Sequence, residues 1–289
     1  MSSPLRITQI SLGDGFAGSH RFALLSSSEL AKRGHEVHLI VTEGSLTEKR
    51  GLQAGLQVQT VPPGSGPETR SALVRLLTED PPQTAVAHHS LERKALMGMR
   101  LIGKAPFRTY AFRNIVSRSF PIVSAIPYNL LLNSQIACSR GVARSLYRDG
   151  AFPWKVHVVH NGIQIPDPLP APVSRESLGG KGSVALIGMS AWFHPRRKGF
   201  DTAFKALALG LDLSFKLVLI GVAEEHQIPA RKMARDCGLD PERIVFPGYV
   251  EDVFPLYQAL DLFILPSREE GFSLSLLEAM ACGLPCVVS

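Results

Sequence analysis

The chain has 289 residues, of which 45% are hydrophobic, and a formal net charge of +6. This length and composition are enough for two globular domains with sizeable cores. Because no apolar run approaches the roughly 18 residues that span a bilayer, and no charged and apolar leader opens the chain, we expect neither secretion nor membrane spanning. The four cysteines are scattered without a zinc-ligand spacing, which predicts reduced thiols in a cytoplasmic protein.

Positive charge is concentrated in the first half of the chain. Residues 1–165 hold 19 Lys and Arg against 10 Asp and Glu, whereas residues 166–289 hold 12 against 15. Residues 92–118 contain one acidic residue, Glu92, and seven basic ones: Arg93, Lys94, Arg100, Lys104, Arg108, Arg113 and Arg118. Such a stretch suits an anionic lipid surface or a phosphorylated acceptor, and a solvated helix face explains it equally well. Its aromatic residues match no RNA-binding pattern, so no nucleic acid partner is expected.

Strands and helices alternate along the first 165 residues. An apolar strand at residues 6–11 leads through a glycine-containing turn to a helix that ends in "LAKRGHE", where Gly34 suits the helix C-terminus, and then to the strand "VHLIV". Further strands are predicted at "TAVAHHS", "PFRTYAF", "SQIACSR" and "VHVVHNG". This alternation is typical of a parallel sheet covered by helices on both faces, a doubly wound α/β domain.

A proline- and glycine-rich segment, residues 166–182, separates this domain from a second one. Its composition disfavours regular structure and suits a hinge. From residue 183 to residue 289 the alternation restarts with the strands "VALIGM", "FKLVLIG", "RIVFPG" and "LDLFILPS". We therefore predict two Rossmann-like domains that face each other across a cleft, with ligands at the carboxyl ends of both sheets.

The turn after the first strand carries a dinucleotide-binding spacing. Gly13, Gly15 and Gly18 satisfy G-x-G-x-x-G, and Glu43 follows the second strand where a ribose-binding acid would lie. An NAD-dependent oxidoreductase is therefore one alternative. A tight strand-to-helix turn needs glycines whatever it binds. In another interpretation Gly15, Gly18 and Ser19 line the cleft and hold acceptor or phosphate oxygens.

Two glutamates near the carboxyl end frame a helix start. Glu270 precedes a helix that Ser273 or Ser275 can cap, Gly271 permits a turn before it, and Glu278 lies in its first turns. The amide groups of Phe272, Ser273, Leu274 and Ser275 form an anion or hydroxyl site between two carboxylates that can grip vicinal hydroxyls. A sugar carrying a phosphate fits these groups. The alternative is structural: Ser275 and Glu278 form a capping box.

The stretch "EGFSLSLLEAMACGLPCVV" closely resembles the E-x7-E signature of family 4 glycosyltransferases, retaining enzymes with the GT-B fold. Four other segments are similar to that family in the same order: "LAKRGHEVHLI", "VHVVHNGIQI", "PRRKGFDTAFKAL" and "GYVEDVFPLYQALDLFILPS". The resemblance implies a transferase of glycan biosynthesis that moves a sugar from a nucleotide-diphosphate-sugar to a glycan or lipid-linked acceptor, with no cofactor or metal.

The resemblance also implies roles for individual residues. Glu270 would bind hydroxyls of the donor sugar, and Glu278 would bind the nucleotide ribose. Lys198, with Arg196 or Arg197, would neutralise the departing diphosphate, which agrees with the general need for cations where negative charge develops. Tyr249 and Val250 would lie near the base.

Three features depart from the family pattern. Family members commonly have an Arg after the glycine of the first strand in the second domain, where this chain has Met189 after Gly188; Arg196 or Arg197 is a candidate replacement. The first-domain segment "RTYAFRN" lacks the family's histidine, which makes His88 and the neighbouring His89 candidates for the sugar site. Members continue well beyond the strand at Val287 and Val288, so we expect the second domain to be incomplete. An inactive nucleotide-sugar-binding remnant is therefore a further alternative.

Overall fold

A computed structural model describes residues 3–13, 18–114, 125–210 and 213–289. The chain divides into two compact units, residues 1–162 and residues 163–289. Each unit contains one parallel sheet with helices between successive strands.

The first unit holds a seven-stranded sheet in the order β3-β2-β1-β4-β5-β6-β7. Its strands are β1 (Arg6–Ser11), β2 (Glu36–Thr42), β3 (Gln57–Val61), β4 (Thr84–Ala87), β5 (Arg108–Arg113), β6 (Ser134–Ala137) and β7 (Val156–Val158). Its helices are α1 (Gly18–Lys32), α2 (Leu46–Gln53), α3 (Pro67–Glu79), α4 (Ser90–Leu101), α5 (Ile126–Leu131) and α6 (Arg140–Arg148). Strand order reverses between β1 and β4, and that reversal is where open α/β sheets bind ligands.

The second unit holds a five-stranded sheet in the order β10-β9-β8-β11-β12. Its strands are β8 (Ala185–Ser190), β9 (Phe215–Ile220), β10 (Ile244–Gly248), β11 (Leu262–Leu265) and β12 (Cys286–Val288). Its helices are α7 (Phe200–Ala208), α8 (Glu224–Asp236), α9 (Phe254–Ala259) and α10 (Leu274–Ala281). Here the strand order reverses between β8 and β11.

Both faces of the second sheet are covered, as the apolar strands require. Along β9, Leu217 and Leu219 enter a core with Phe200 on one face, whereas Val218 enters a core with Tyr257 on the other. Successive strand residues point to opposite faces, so an apolar run such as "FKLVLI" supplies both cores. The doubly wound α/β class predicted from the alternation is confirmed for both units.

The proline- and glycine-rich segment is attached to the second unit. Leu178 is buried in one of its cores, and the Val173 amide donates to the Pro255 carbonyl over 3.0 Å. The Arg175 guanidinium makes a bidentate pair of hydrogen bonds with the Asp261 carboxylate, at 3.1 and 2.8 Å, and donates to the Ala259 carbonyl. Those hydrogen bonds lower the pKa of Asp261. Residues 173–178 are thus bonded to α9 and to the start of β11.

Candidate functional site

Two loops meet where the strand order of the second unit reverses. One follows β8 and runs to Gly199, the N-cap of α7; the other follows β11 and leads to α10. Within the first loop, the Lys198 amide donates to the His194 carbonyl over 3.0 Å. This hydrogen bond closes a single turn of the backbone and places Lys198 immediately before the amino end of α7.

Gly199 allows the two loops to touch. Its φ is +70°, in the left-handed region, and a Cβ added there would lie 1.8 Å from the Pro266 carbonyl oxygen. Both the backbone conformation and the lack of space therefore require glycine. The pair Lys198–Gly199 thus combines a cation with the glycine that permits close approach of the loop after β11.

Hydrogen bonds from Arg268 connect the same two loops. Its backbone amide donates to the Arg197 carbonyl over 3.0 Å, and its guanidinium donates to the Arg196 carbonyl over 2.8 Å. The guanidinium also grips both carboxylate oxygens of Asp201 at 2.7 Å and the Thr202 hydroxyl at 3.0 Å. The hydrogen bond from Arg268 holds the pKa of Asp201 below its usual value. Arg268 therefore connects the basic loop to the first turn of α7.

Lys198 and Glu270 form an ion pair at this junction. The Lys198 ammonium lies 2.7 Å from Glu270 Oε2, and the two side chains are 14% and 26% exposed. A partly exposed pair of this kind remains accessible to a ligand. The geometry offers a cation for phosphate oxygens beside a carboxylate for hydroxyl groups.

Glu278 lies on α10 and is 1% exposed. The Ser273 hydroxyl caps this helix by accepting the Leu276 amide over 3.3 Å, and it also bonds the Ser275 hydroxyl at 2.9 Å. The capping-box alternative for Ser275 and Glu278 is therefore wrong, because Ser273 is the cap and Leu276 occupies the third helical position. The burial of Glu278 needs another explanation.

The other site residues predicted for the second unit differ in solvent exposure. Arg196 is exposed, whereas the Nε atom of Arg197 is buried and has no hydrogen-bond partner among the described residues. Tyr249 is 55% exposed after β10, and Val250 packs at the edge of a core. Residues 271–273 are half-buried, and Leu274 is buried.

Gly271 does not make the special turn that the sequence suggested. It is absent from the residues with positive φ, which in this region include Gly248 and Gly283. The turn before α10 therefore has a backbone that other residues could adopt.

The glycine turn of the first unit is only partly described. Gly15 lies outside the described residues. The Gly13 amide donates to Thr42 Oγ1 over 2.8 Å, and Gly18 is the exposed first residue of α1. Ser19, on the same helix, is buried and bonds the imidazole of His89 at 2.8 Å. Glu43, the proposed ribose-binding acid, is exposed after β2.

His88 does not face a ligand site. It is 1% exposed, its Nε2 lies 2.7 Å from Gln9 Oε1, and its ring packs against Phe112. Burial lowers its pKa to about 3, with smaller contributions from His89, His20 and Arg93. The assignment of His88 to substrate binding is therefore wrong, since its side chain belongs to the interior. His89, the next residue, has a 26% exposed side chain.

The basic stretch at residues 92–118 is not one continuous charged face. Arg93 donates to the His88 and Phe112 carbonyls, and Arg113 donates to Gln135. Lys94, Lys104 and Arg108 are exposed, and Arg118 lies outside the described residues. Arg100 also donates to the Ala105 carbonyl, over 3.2 Å, so at least three of the seven cations are engaged in internal hydrogen bonds.

The described residues contain neither a metal-binding cluster nor a helix able to span a membrane. Nowhere in them do three or more His, Cys, Asp or Glu side chains gather in a way that could hold a metal ion. None of the helices in this part of the chain is both long and apolar enough to cross a membrane.

Comparison with known proteins identifies the kind of protein these loops resemble. Residues 184–289 match the family model described as glycosyl transferases group 1. The chain is 28% identical, over 50% of its length and 38% of the relative, to an Escherichia coli UDP-Gal:alpha-D-GlcNAc-diphosphoundecaprenol alpha-1,3-galactosyltransferase. It is 31% identical, over 48% of its length and 36% of the relative, to D-inositol 3-phosphate glycosyltransferase 1 of Catenulispora acidiphila. These alignments span less than two fifths of each relative.

Solved structures extend the similarity to nearly the whole chain. The crystal structure of Anabaena HepE in complex with UDP and glucose superposes with a TM-score of 0.79 at 19% identity, covering 98% of this chain and 80% of that one. This likeness confirms the predicted GT-B type of fold. The relatives named above give no support to the oxidoreductase alternative.

Proposed function

We propose that this chain is a family 4 glycosyltransferase that moves a sugar from a nucleotide-diphosphate-sugar to a hydroxyl of a glycan or lipid-linked acceptor, with retention of configuration. The observation that carries the proposal is the Lys198–Glu270 pair, 2.7 Å apart beside the amino end of α7. The family match covers both residues of this pair, and the named relatives are glycosyltransferases.

Each charged group has a role in the proposed reaction. Glu270 accepts hydrogen bonds from hydroxyls of the donor sugar, and Glu278 accepts them from the ribose. Lys198 and Arg197, with Arg196 at the edge, neutralise the diphosphate. The anomeric carbon loses its bond to the diphosphate oxygen and gains one to the acceptor oxygen on the same face. The acceptor proton passes to the departing phosphate, so neither a side-chain base nor a metal ion is required.

Lys198 is suited to this role because its charge acts most strongly when the leaving group becomes more negative. Cations already in place at developing charge lower the barrier without reorganising during the reaction. The hydrogen bond to Glu270 holds the ammonium in place and gives it a partner while no phosphate is bound. A diphosphate that binds the Lys198 ammonium would replace Glu270 as its partner, and Glu270 could then accept hydrogen bonds from the sugar hydroxyls.

A lipid-linked acceptor would place the protein at the inner face of a membrane, and we propose that α6 contributes to that contact. Arg140, Arg144 and Arg148 recur every four residues and are exposed. After this helix, Phe152 and Trp154 stack with ring centroids 4.7 Å apart, and Trp154 is 70% exposed. Arginine beside an exposed aromatic pair is a combination that suits an anionic interface.

The membrane contact is testable with Trp154 as reporter. In a Trp192→Phe background Trp154 is the remaining tryptophan. Its emission should shift to the blue with phosphatidylserine vesicles at low salt, and the shift should shrink as salt screens the charges. Neutral phosphatidylcholine vesicles are the control. A spectrum unchanged by anionic vesicles would contradict the contact.

Donor binding and turnover are tested separately. Trp192 lies in the loop that carries Lys198 and packs edge-on against His194 at 5.0 Å, so in a Trp154→Phe background its fluorescence reports on the site. Titration with UDP, GDP and ADP should give a saturable change with at least one. Release of free sugar from the matching nucleotide-sugar then measures turnover. Binding without any release or transfer would favour the inactive remnant, and no response to any nucleotide would contradict the proposal.

A further inference from the structure

Arg268 makes hydrogen bonds on both sides of Lys198 in the sequence. Its amide and its guanidinium donate to the carbonyls of residues 196–197, which precede Lys198 in the loop after β8. The same guanidinium bonds the side chains of residues 201–202 in the first turn of α7, which follows Lys198. Since Arg268 lies two positions before Glu270, its hydrogen bonds join the loop of the carboxylate to the loop of the cation.

The contact with Asp201 depends on the shape of the guanidinium. Nη1 lies 2.7 Å from one carboxylate oxygen, and Nη2 lies 2.7 Å from the other. Nη1 also donates to the Arg196 carbonyl, and Nη2 bonds the Thr202 hydroxyl. A planar fork satisfies these partners together, whereas the ammonium of a lysine offers its donors from a single point. The site therefore requires arginine rather than positive charge alone.

The Arg268–Asp201 pair is too exposed to stabilise the fold by much. The two side chains are 43% and 31% exposed. Ion pairs at such positions are screened by water and salt, and they typically add little to the free energy of unfolding. The main consequence of the contact is therefore geometric: it fixes the relative position of two loops at the edge of the sheet where ligands bind.

This geometric effect should be greatest once a donor is bound. In the structure the Lys198 ammonium and the Glu270 carboxylate, 2.7 Å apart, also join the two loops. Under the proposed function a diphosphate replaces Glu270 as the partner of Lys198, so this direct link is lost. The side-chain bonds of Arg268 go to other residues and remain. They keep Lys198 in place, and small errors in the position of a catalytic group reduce catalysis strongly.

Arg175 provides a comparison at the opposite end of the same strands. Its guanidinium also makes a bidentate pair with a carboxylate, that of Asp261, and donates to the Val184 carbonyl over 3.0 Å. Its side chain is 38% exposed, close to the 43% of Arg268. Val184 and Asp261 immediately precede β8 and β11, whereas Arg268 follows β11. The two arginines thus have similar bonding, and of the two it is Arg268 that lies beside Lys198.

The Arg268 side chain can be reached from solvent. Together with Asp201, Thr202 and Cys237 it lines a surface cavity of about 700 Å³. Truncation of this side chain to alanine would leave the Asp201 carboxylate beside that cavity. A guanidinium ion is small enough to enter and carries the same planar donors, so the lost contact can be restored from solution.

We propose that Arg268 is a positioning residue that holds Lys198 in place for the departing diphosphate. In this role it touches neither the donor nor the reacting atoms, and it acts through the loop that carries Lys198. The inference rests on the proposed function, because it concerns the charge that develops during sugar transfer.

The kinetic test compares Arg268→Ala with Arg175→Ala. Arg268→Ala should lower kcat by about 10- to 100-fold, the scale expected for a misplaced catalytic group, while the KM for the donor changes much less. Guanidinium chloride, far below its denaturing range, should restore part of the lost kcat, and equal sodium chloride should not. Arg175→Ala should keep the parental kcat. Parental kcat in Arg268→Ala, or a loss that guanidinium restores no better than sodium chloride does, would overturn the proposal.

Arg268→Lys keeps the proposal falsifiable if Arg268→Ala does not fold. It retains the positive charge but not the planar fork, and the backbone bond from residue 268 to the Arg197 carbonyl is unaffected by either change. We expect kcat to fall with little change in KM. A parental kcat in Arg268→Lys would overturn the proposal.

NMR of ¹³C-lysine-labelled protein tests the position of Lys198 without turnover. Lys198→Arg identifies the Lys198 signals. A fixed side chain gives separate signals for the two protons on Cε, which we expect in the parent and in Arg175→Ala. Arg268→Ala should average these signals until guanidinium is added. Unchanged Lys198 signals in Arg268→Ala would overturn the proposal.

The two readouts separate this inference from the proposed function. A parent that binds a nucleotide but neither releases nor transfers a sugar defeats the proposed function, and the NMR signals then decide whether Arg268 positions Lys198. A parent that turns over its donor, with kcat unaffected by Arg268→Ala, defeats this inference and leaves the proposed function standing.

Discussion

Lys198 shows how one side chain connects the sequence motif to the chemistry. We expect Lys198→Ala to lower kcat by about 100-fold or more, the usual effect of removing one group that stabilises developing charge, while the KM for the donor changes much less. Initial rates of sugar release over a range of donor concentrations measure both constants.

Lys205→Ala is the matched control, because Lys205 is an exposed lysine on α7, whereas the ion pair of Glu270 is formed with Lys198. It should behave as the parent does. Equal losses in kcat and in donor affinity for Lys198→Ala would instead assign Lys198 to binding of the ground state.

His20 predicts an acid-dependent loss of stability in the first unit. Its pKa in the folded chain is about 4, below the usual imidazole value of 6.5, so the unfolded chain binds the proton more readily. The stabilisation is complete above pH 6.5 and declines as the pH falls towards 4, by an amount on the order of 3 kcal/mol.

Urea unfolding followed by Trp154 in the Trp192→Phe background isolates this unit. His20→Gln should flatten the pH dependence between those values, even if it lowers stability at every pH. His157→Gln, which alters an exposed imidazole, should keep the parental slope. A His20→Gln slope equal to that of the parent would show that His20 does not cause the acid sensitivity.

At the scale of elements, Gly199 determines whether the loop after β8 can meet the loop after β11. Gly199→Ala forces a Cβ against the Pro266 carbonyl, and we expect the unfolding free energy to fall by at least about 2 kcal/mol. Gly182→Ala is the control, since Gly182 also has positive φ, at +59°, but has nothing within 4 Å. It should cost only about 1 kcal/mol.

Urea unfolding followed by Trp192 in the Trp154→Phe background measures both variants of the second unit. Similar losses for Gly199→Ala and Gly182→Ala would mean that the backbone conformation matters and the contact with Pro266 does not.

Local sequence signals located most helices and strands but not the long-range hydrogen bonds that join their loops. Strand β1 and the Gly34 helix end were predictable because apolar runs and a left-handed glycine act within a few residues; Gly34 has φ +86°. Strand β3, "QVQTV", was missed because only Val58 and Val61 of its five residues are apolar and their spacing is not alternating. The hydrogen bonds of Arg268 with Asp201 and Thr202 join residues 66 or more positions apart, so no local pattern in the sequence indicates that these residues are partners.

The site residues also differ in whether a local sequence pattern could identify them. The Glu270 and Glu278 spacing is local and was visible as a motif, whereas the choice between His88 and His89 depends on which side of the β4 end each faces. Adjacent residues at a strand end point to opposite sides, so sequence alone left both open. Packing against Phe112 decides that His88 is interior.

For the whole molecule, the decisive question is whether the folded chain binds a nucleotide through Glu278. Thermal unfolding should be measured with UDP, GDP and ADP, on the parent and on Glu278→Gln. A ligand held only by the folded state adds about 2.7 kcal/mol at a hundredfold excess over its Kd, which raises the melting temperature by a few degrees.

We expect one nucleotide to stabilise the parent clearly and Glu278→Gln much less, because an amide is a weaker partner for the ribose hydroxyls than a carboxylate. NAD should stabilise neither. Glu242→Gln is the control: Glu242 has an 87% exposed side chain in the same unit, so its loss should change neither stability nor the nucleotide response. Since Ser273 and not Glu278 forms the cap of α10, a reduced nucleotide response cannot be attributed to loss of a capping box. If Glu278→Gln melts earlier yet responds to the nucleotide as the parent does, Glu278 serves packing alone and the ribose lies elsewhere.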